Sequence, residues 1–315
     1  MPTHVTPDNF IRAESDLYFG NIVKGDGFGT FHHFRDLGPI DNQLVVRQNR
    51  DTLYSAGVFD LDASDLTVTL PDSGGRFMSL QVITEDHYVP EVSYTSGAQT
   101  YTREQIGTRY VMLAVRTLVD PNDPADMSQV HALQDAITAV QSDQGSFEVP
   151  DWDPLSQKQV RDALVALFAT LPDTKRMFGT EEDTDPVRRL IGSAAAWGGN
   201  PEKEALYLPV TPPQNDGTTV LGLTVADVPV DGFWSITVYN ADGYFTANEQ
   251  NAYSLNNITA AKNADGSVQI QFGGCDRSVP NCLPITPGWN YLVRLYRPHQ
   301  EILDGSWTFP AAQPV

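Results

Sequence analysis

Cysteine is scarce: Cys275 and Cys282 are the only two in 315 residues. They stand in "GGCDRSVPNCLP", a Gly- and Pro-rich stretch, and no further ligand flanks them at zinc-site spacing. A local disulfide and two reduced thiols both fit this spacing. Basic residues are scarce as well. Forty acidic residues face twenty basic ones, for a net charge of −20. That balance excludes nucleic acid as a partner, since phosphates need Lys and Arg, and it argues against anionic membrane surfaces. No apolar run is long enough to cross a bilayer. "MPTHVTPDNFIRAESDLYF" has no basic segment leading into an apolar one, so no secretory signal is expected. As written, the chain reads as soluble and cytoplasmic; a trimmed leader would change that to export. Internal repeats and low-complexity segments are missing too.

What is present is a core. Apolar residues make up 41% of the chain, enough to fold and too many for wholesale disorder. The first part carries short runs rich in Val, Leu, Thr and aromatics: "NQLVVRQN", "TLYSAGVFDL", "DLTVTLPD", "RFMSLQVIT" and "TRYVMLAVRTL". In "DLTVTL", Leu66, Val68 and Leu70 alternate with Thr67 and Thr69, the period of a half-buried strand. After "VDPNDPAD" the period changes. Val130, Leu133, Ile137 and Val140 recur at helical spacing in "DMSQVHALQDAITAVQ". "QKQVRDALVALFATL" and "DPVRRLIGSAAAWGG" read as two further helices, the last ended by Gly198 and Gly199. From about Ala205 the strand pattern returns in "TTVLGLTVADV", "GFWSITVYN", "SVQIQFGG" and "WNYLVRLYRP". The expected fold is mainly β: two β-sandwich domains of jelly-roll type with an intervening helical segment. The expected domains are 1–124 (β), 125–204 (helical) and 205–315 (β-sandwich).

The stretches "FHHFRD", "RQNRDTLYSAGVFDL" and "LPDSGGRFMSLQVITEDHY" are followed, in order, by "VPVDGFWSITVYNADGYF", "NAYSLNNIT", "DGSVQIQFGG" and "NCLPITPGWNYLVRLYRPHQEILDGSWTFP". On these the chain resembles, over nearly its whole length, proteins that join domain of unknown function 1254 to domain of unknown function 1214. The resemblance implies two jelly-roll domains around a helical segment. It implies no reaction, cofactor or catalytic residue set.

Candidate site residues therefore rest on chemistry. In "ITEDHYV" an apolar run ends in Glu85, Asp86, His87 and Tyr88. On an extended chain Glu85 and His87 share one face. His32 and His33, bracketed by Phe31 and Phe34, point to opposite faces, so one of them can join that pair. Two imidazoles and a carboxylate can hold a divalent metal and leave positions open for water or substrate. The competing reading is structural: a Glu85–His87 ion pair and a buried, hydrogen-bonded ring at His32 or His33. Neither spacing matches H-E-x-x-H.

"NRDTLYS" is the second loaded stretch. Asp51 can act as base or orienter and Tyr54 as a donor to a substrate oxygen. Equally, Arg50 and Asp51 can pin a loop. The G-x-S-x-G signature is absent, although Ser55 or Ser79, His87 and Asp51 remain types from which a triad can be assembled in space. In "WNYLVRLYRP", Arg294 shares a face with Leu292 and Tyr296. A buried guanidinium needs an internal carboxylate or a ligand anion. An internal partner is favoured in so acidic a chain, with Asp231 and Asp242 bordering the neighbouring segment. Tyr239, Tyr244, Phe245 and Tyr253 can line a ligand pocket or fill a core.

Three readings follow. The first is an enzyme on a small molecule, through metal-assisted hydrolysis or oxygen chemistry at a non-haem metal. Its catalytic residues are His87, Glu85, Asp51 and Tyr54, its substrate contacts Arg294 and Tyr239, and its metal ligands His32, His33, His87 and Glu85. The second is a non-catalytic binder of a small ligand. The third is a structural protein whose exposed strands pair between copies as a homo-oligomer.

Overall fold

The computed structural model describes residues 1–43, 46–276 and 278–315. The protein is mainly β, with 28% strand and 19% helix in several antiparallel sheets. The chain forms two compact units. The first holds Met1–Arg35, Leu53–Leu118 and Pro124–Glu202; the second holds Asp36–Thr52, Val119–Asp123 and Lys203–Val315. The helical stretch is thus not a part by itself, as the three-part division had it: it packs within the first unit. Residues 36–52 and 119–123 group instead with the C-terminal part.

In the first unit, helix α1 (Phe10–Lys24) leads into β1 (His32–Phe34), β2 (Thr52–Asp60, whose first residue lies at the unit boundary), β3 (Leu66–Leu70), β4 (Met78–Thr84), β5 (Glu91–Ser93) and β6 (Gly97–Tyr101). Then come α2 (Arg103–Ile106), β7 (Tyr110–Leu118), α3 (Pro124–Asp135), β8 (Thr138–Gln141), α4 (Pro154–Phe168) and α5 (Pro186–Ala195). A five-stranded sheet runs β1-β2-β7-β4-β5 and a three-stranded one runs β6-β3-β8. Their facing side chains, among them Leu66, Val68, Leu80, Val82, Leu113 and Val115, form one core. Leu66, Val68 and Leu70 are buried and Thr67 and Thr69 half-buried, as the alternation requires.

Helices α4 and α5 start alike. Asp153 and Asp185 accept bonds from the first free backbone N–H groups, and Pro154 and Pro186 take the first helical position, where no N–H is needed. Both helices pack on α1 through Phe10, Ala13, Leu164 and Ile191.

Three expectations need correction. The helix expected across Val130 to Val140 stops at Asp135; Thr138–Gln141 pairs with β3 as β8 instead. Its Thr and Val side chains suit a pleated surface better than a helix. The strand expected over "NQLVVRQN" is absent at its described residues, while Leu44 and Val45 lie outside the described residues. Helix α1, with Glu14 and Asp16 on its buried face, was not expected at all.

The second unit contains β9 (Ala205–Val210), β10 (Leu221–Val225), β11 (Trp234–Tyr239), β12 (Ser254–Asn256), β13 (Val268–Phe272), β14 (Cys282–Leu283), β15 (Asn290–Tyr296), α6 (Gln300–Leu303) and β16 (Gln313–Pro314). Two four-stranded sheets, β14-β13-β10-β16 and β12-β11-β15-β9, enclose a core that includes Trp234, Ile236, Val238, Tyr291, Val293 and Leu295. The opposite face of β11 and β15 carries Ser235, Thr237, Tyr239 and Arg294, all buried. Cys275 and Cys282 are joined by a disulfide, which decides between the two states the spacing allowed.

Candidate functional site

The segment after β4 does not continue as a strand. His87 N–H donates to Thr84 O at 2.9 Å and Thr84 N–H donates to Tyr88 O at 3.0 Å, so the chain reverses. His87 sits in the left-handed region, φ 61, uncommon outside Gly, Asn and Asp. The turn breaks the alternation on which Glu85 and His87 were expected to project together, and the two side chains have different partners.

Glu85 faces α1. Its Oε2 accepts from Tyr110 N–H at 3.2 Å, and its Oε1 lies 3.5 Å from the Arg12 guanidinium. Arg12 also donates to Asp86 Oδ1 at 2.6 Å. One helical turn beyond Arg12, on the same face, stands Asp16. Asp16 Oδ2 accepts from Trp152 Nε1 at 2.7 Å, and the charge of Glu85 acts on its carboxyl group. Asp16 and Glu85 are 3% and 5% exposed. Asp16 Oδ1 meets no N–H or O–H donor of the protein among the described residues. Two buried carboxylates that act on each other favour a proton on one of them.

Burial pushes Asp16 up to about 6, with the charge of Glu85 adding to it and the Trp152 bond and Arg12 opposing it. Burial also raises Glu85, opposed chiefly by Arg12. Asp86 and Arg12 are partly exposed and form the rim above the pair.

His87 faces the other way and is fully buried. Its Nε2 accepts from Gly198 N–H at 2.9 Å, so in the neutral ring the proton is on Nδ1, which has no acceptor among the described residues. The ring stacks on Trp197 at 5.2 Å and meets the edge of Phe178 at 5.9 Å. Burial, helped by the charge of Arg189, pushes its pKa down to about 3. At neutral pH His87 is therefore an uncharged ring, held by packing.

The other expected residues of the first unit lie apart from this pair. His33 Nδ1 bonds Ser55 Oγ at 2.8 Å, and the His32 ring packs on the edge of Phe34. Tyr54 lies under the Arg116 guanidinium, 5.4 Å from its ring centre. Among the described residues no three His, Cys, Asp or Glu side chains are placed to hold a metal. With the Glu85 oxygens and His87 Nε2 already committed, the set His32, His33, His87 and Glu85 does not fit a divalent ion. The shallow depression near Asp72, Ser73, Tyr94 and Thr95 contains none of these groups.

Asp51, Arg294 and Tyr239 meet in the second unit, in a closed network. Ser235 Oγ donates to Asp51 Oδ2 at 2.6 Å, and Asn256 Nδ2 donates to Asp51 Oδ1 at 3.2 Å. Arg294 donates to Thr237 Oγ1 at 2.8 Å, to Arg47 O at 2.9 Å and to Tyr239 Oη at 2.8 Å. Tyr239 Oη donates in turn to Gln48 O at 2.9 Å. Burial pushes Asp51 up, and the charge of Arg294 is the strongest force holding it down. The buried guanidinium is thus held by hydroxyl and carbonyl oxygens, and the carboxylate whose charge acts on it is Asp51. The candidate Asp231 instead binds His299 at 2.8 Å.

Comparison with known families agrees with the order of the two β parts. "Protein of unknown function (DUF1254)" matches residues 28–105 and "Protein of unknown function (DUF1214)" matches residues 213–300. The chain belongs to the family that joins these two domains. A crystal structure of a Vibrio parahaemolyticus protein aligns with a TM-score of 0.72 at 16% identity, covering 97% of this chain and 96% of that one. An uncharacterised protein from Burkholderia cenocepacia aligns at 0.51 and 13% identity, covering 93% of this chain and 84% of that one. At such identities the likeness concerns fold alone. No curated protein matches.

Asp16, Arg12 and Trp152 were missed by reading the sequence. The helix of Arg12 and Asp16 buries Glu14, Ser15 and Asp16 alongside Phe10, Ala13 and Phe19, so its inner face lacks a clean apolar stripe. One signal was available: Asn9 before the helix, with Lys24 and Gly25 at its end, are start and stop residues.

Proposed function

We propose that the first unit carries an acid–base site for a small molecule, with Asp16 and Glu85 as the working pair. The observation that supports it is the burial of two carboxyl groups, one on α1 and one in the turn after β4, with the Arg12 guanidinium 3.5 Å from the second. Such a pair divides the labour that general acid–base catalysis needs. Asp16 keeps its proton up to about pH 6. Glu85 is the partner favoured in the ionised form by Arg12 and the Tyr110 N–H. The acid can protonate a leaving oxygen while the carboxylate takes a proton from water, which is hydrolytic chemistry. Arg12 orients Glu85 from the solvent side, and Trp152 fixes Asp16. His87 serves the turn that presents Glu85, and Arg294, fully engaged inside its own network, has no place in the reaction.

A screen of ester, lactone, amide and glycoside hydrolysis, run on wild type, Asp16→Asn and Glu85→Gln, tests this. Turnover by the wild type, lost by more than a hundredfold in both variants while each still unfolds cooperatively, is the expected result. Turnover that survives both substitutions would remove the pair from catalysis.

The Cys275–Cys282 bridge favours work in an oxidising compartment, in place of the cytoplasmic expectation. Thiol labelling in intact cells should find no free cysteine; ready labelling of both would return the protein to a reducing compartment.

A further inference from the structure

The arginines of the second unit suggest a separate site. Elsewhere, Arg12, Arg76, Arg109 and Arg161 each meet a carboxylate, as expected where acids outnumber bases two to one. Arg47 and Arg50 do not: among the described residues neither has a carboxylate within ion-pair reach. Arg50 is half-buried, and its guanidinium lies over Phe245 at 5.7 Å and Tyr253 at 5.3 Å. Of its five N–H donors, one is used among the described residues, on Gly38 O at 2.6 Å. Arg47 is exposed, bonds only Asn290 Oδ1 at 3.3 Å through its side chain among the described residues, and has its backbone fixed by the bond from Arg294. Asp51, the carboxylate that acts on Arg50, is already occupied by Ser235, Asn256 and the charge of Arg294.

A guanidinium that is stacked on aromatic rings is held in orientation without being neutralised. Its planar edge stays free for bidentate recognition of an oxyanion. Two guanidinium groups, Arg50 and Arg294, act on one buried carboxylate, Asp51, and Arg47 adds a third positive charge three residues before Arg50. We propose that the second unit binds the oxyanion of a small carboxylate- or phosphate-bearing molecule at Arg47 and Arg50, over the rings of Phe245 and Tyr253. The site is independent of the acid–base pair, and its test needs no turnover.

Calorimetric titration and thermal unfolding with succinate or inorganic phosphate, at ionic strength held constant with sodium chloride, address it. Saturable binding and a rise of a few degrees in melting temperature at large excess over Kd are expected for at least one of the two anions. A response to phosphate alone assigns phosphate esters, and a response to succinate alone assigns carboxylates. Arg50→Gln should weaken binding at least tenfold. Because losing the stacked guanidinium can loosen the unit, Arg47→Gln, at an exposed position, supplies the second arm and should weaken binding without lowering the melting temperature of the free protein. No saturable binding of either anion by the wild type, or unchanged affinity in both variants, would overturn the proposal.

Discussion

Each unit buries an aspartate, and the two are treated differently. Around Asp51 the second unit gathers a hydroxyl, an amide and the charge of a buried guanidinium that is itself bonded to Thr237, Tyr239 and the Arg47 carbonyl. Around Asp16 the first unit places one indole N–H and a second carboxyl group. The first arrangement satisfies its charges and is expected to stabilise the fold. The second leaves a proton in play. Arg12 stops at the rim, 3.5 Å from Glu85, and neutralises the pair only in part. A buried network with its bonds complete specifies structure, whereas groups whose environment moves their pKa towards neutrality suit proton transfer.

The largest effect should come from breaking the closed network. Arg294→Met leaves Asp51 buried without its cation and should cost about 3–5 kcal/mol in denaturant unfolding. Adding Asp51→Asn to it should recover part of that loss, a coupling that a double-mutant cycle reads directly. A loss below about 1 kcal/mol would show the network to be less closed than its bonds indicate.

Next in size is the pH dependence of the open pair. The folded value for Asp16, about 6, lies above the ordinary value of 3.8. Between the two, the folded protein keeps a proton that the unfolded chain has released. The stability this group contributes is therefore fully present below about pH 4 and is lost as pH rises through about 6. Asp16→Asn removes the titration. It should gain on the wild type by on the order of 3 kcal/mol between pH 4 and pH 8, in a comparison of the two unfolding curves. A difference that does not vary with pH would place Asp16 with Asp51 as a structural acid.

The smallest effect sharpens the same point. Trp152→Phe removes the indole donor to Asp16 Oδ2, a bond that favours the ionised form. It should cost about 1 kcal/mol and move the Asp16 titration further upward. A downward move would mean that the indole supports the protonated acid.

The parts of this comparison were unequally legible in the sequence. Strand β11 could be read from "GFWSITVYN", since Trp234, Ile236 and Val238 alternate with Ser235, Thr237 and Tyr239 and one set faces the core. That Arg294 needs an internal carboxylate followed from the cost of burying a charge. Which one did not follow, because Asp51 is far away in sequence and strand pairing of Ser235 opposite Arg294 brings the two groups into one network. The acid–base pair was half visible. Glu85 stood out at the end of an apolar run, but alternation misplaced its neighbours, because His87 takes a left-handed conformation that period-2 reading cannot anticipate. Asp16 was hidden by its own burial: a helix that turns carboxylates inward loses the apolar stripe by which helices are found.

The proton that Asp16 keeps beside Glu85 is the central claim, and infrared difference titration of carboxyl groups tests it most directly. In the folded wild type between pH 5 and pH 8, a protonated-carboxyl band should titrate with an apparent value near 6 and be absent from Asp16→Asn. A wild-type spectrum with no such band anywhere in that range, both carboxylates being ionised throughout, would contradict the account.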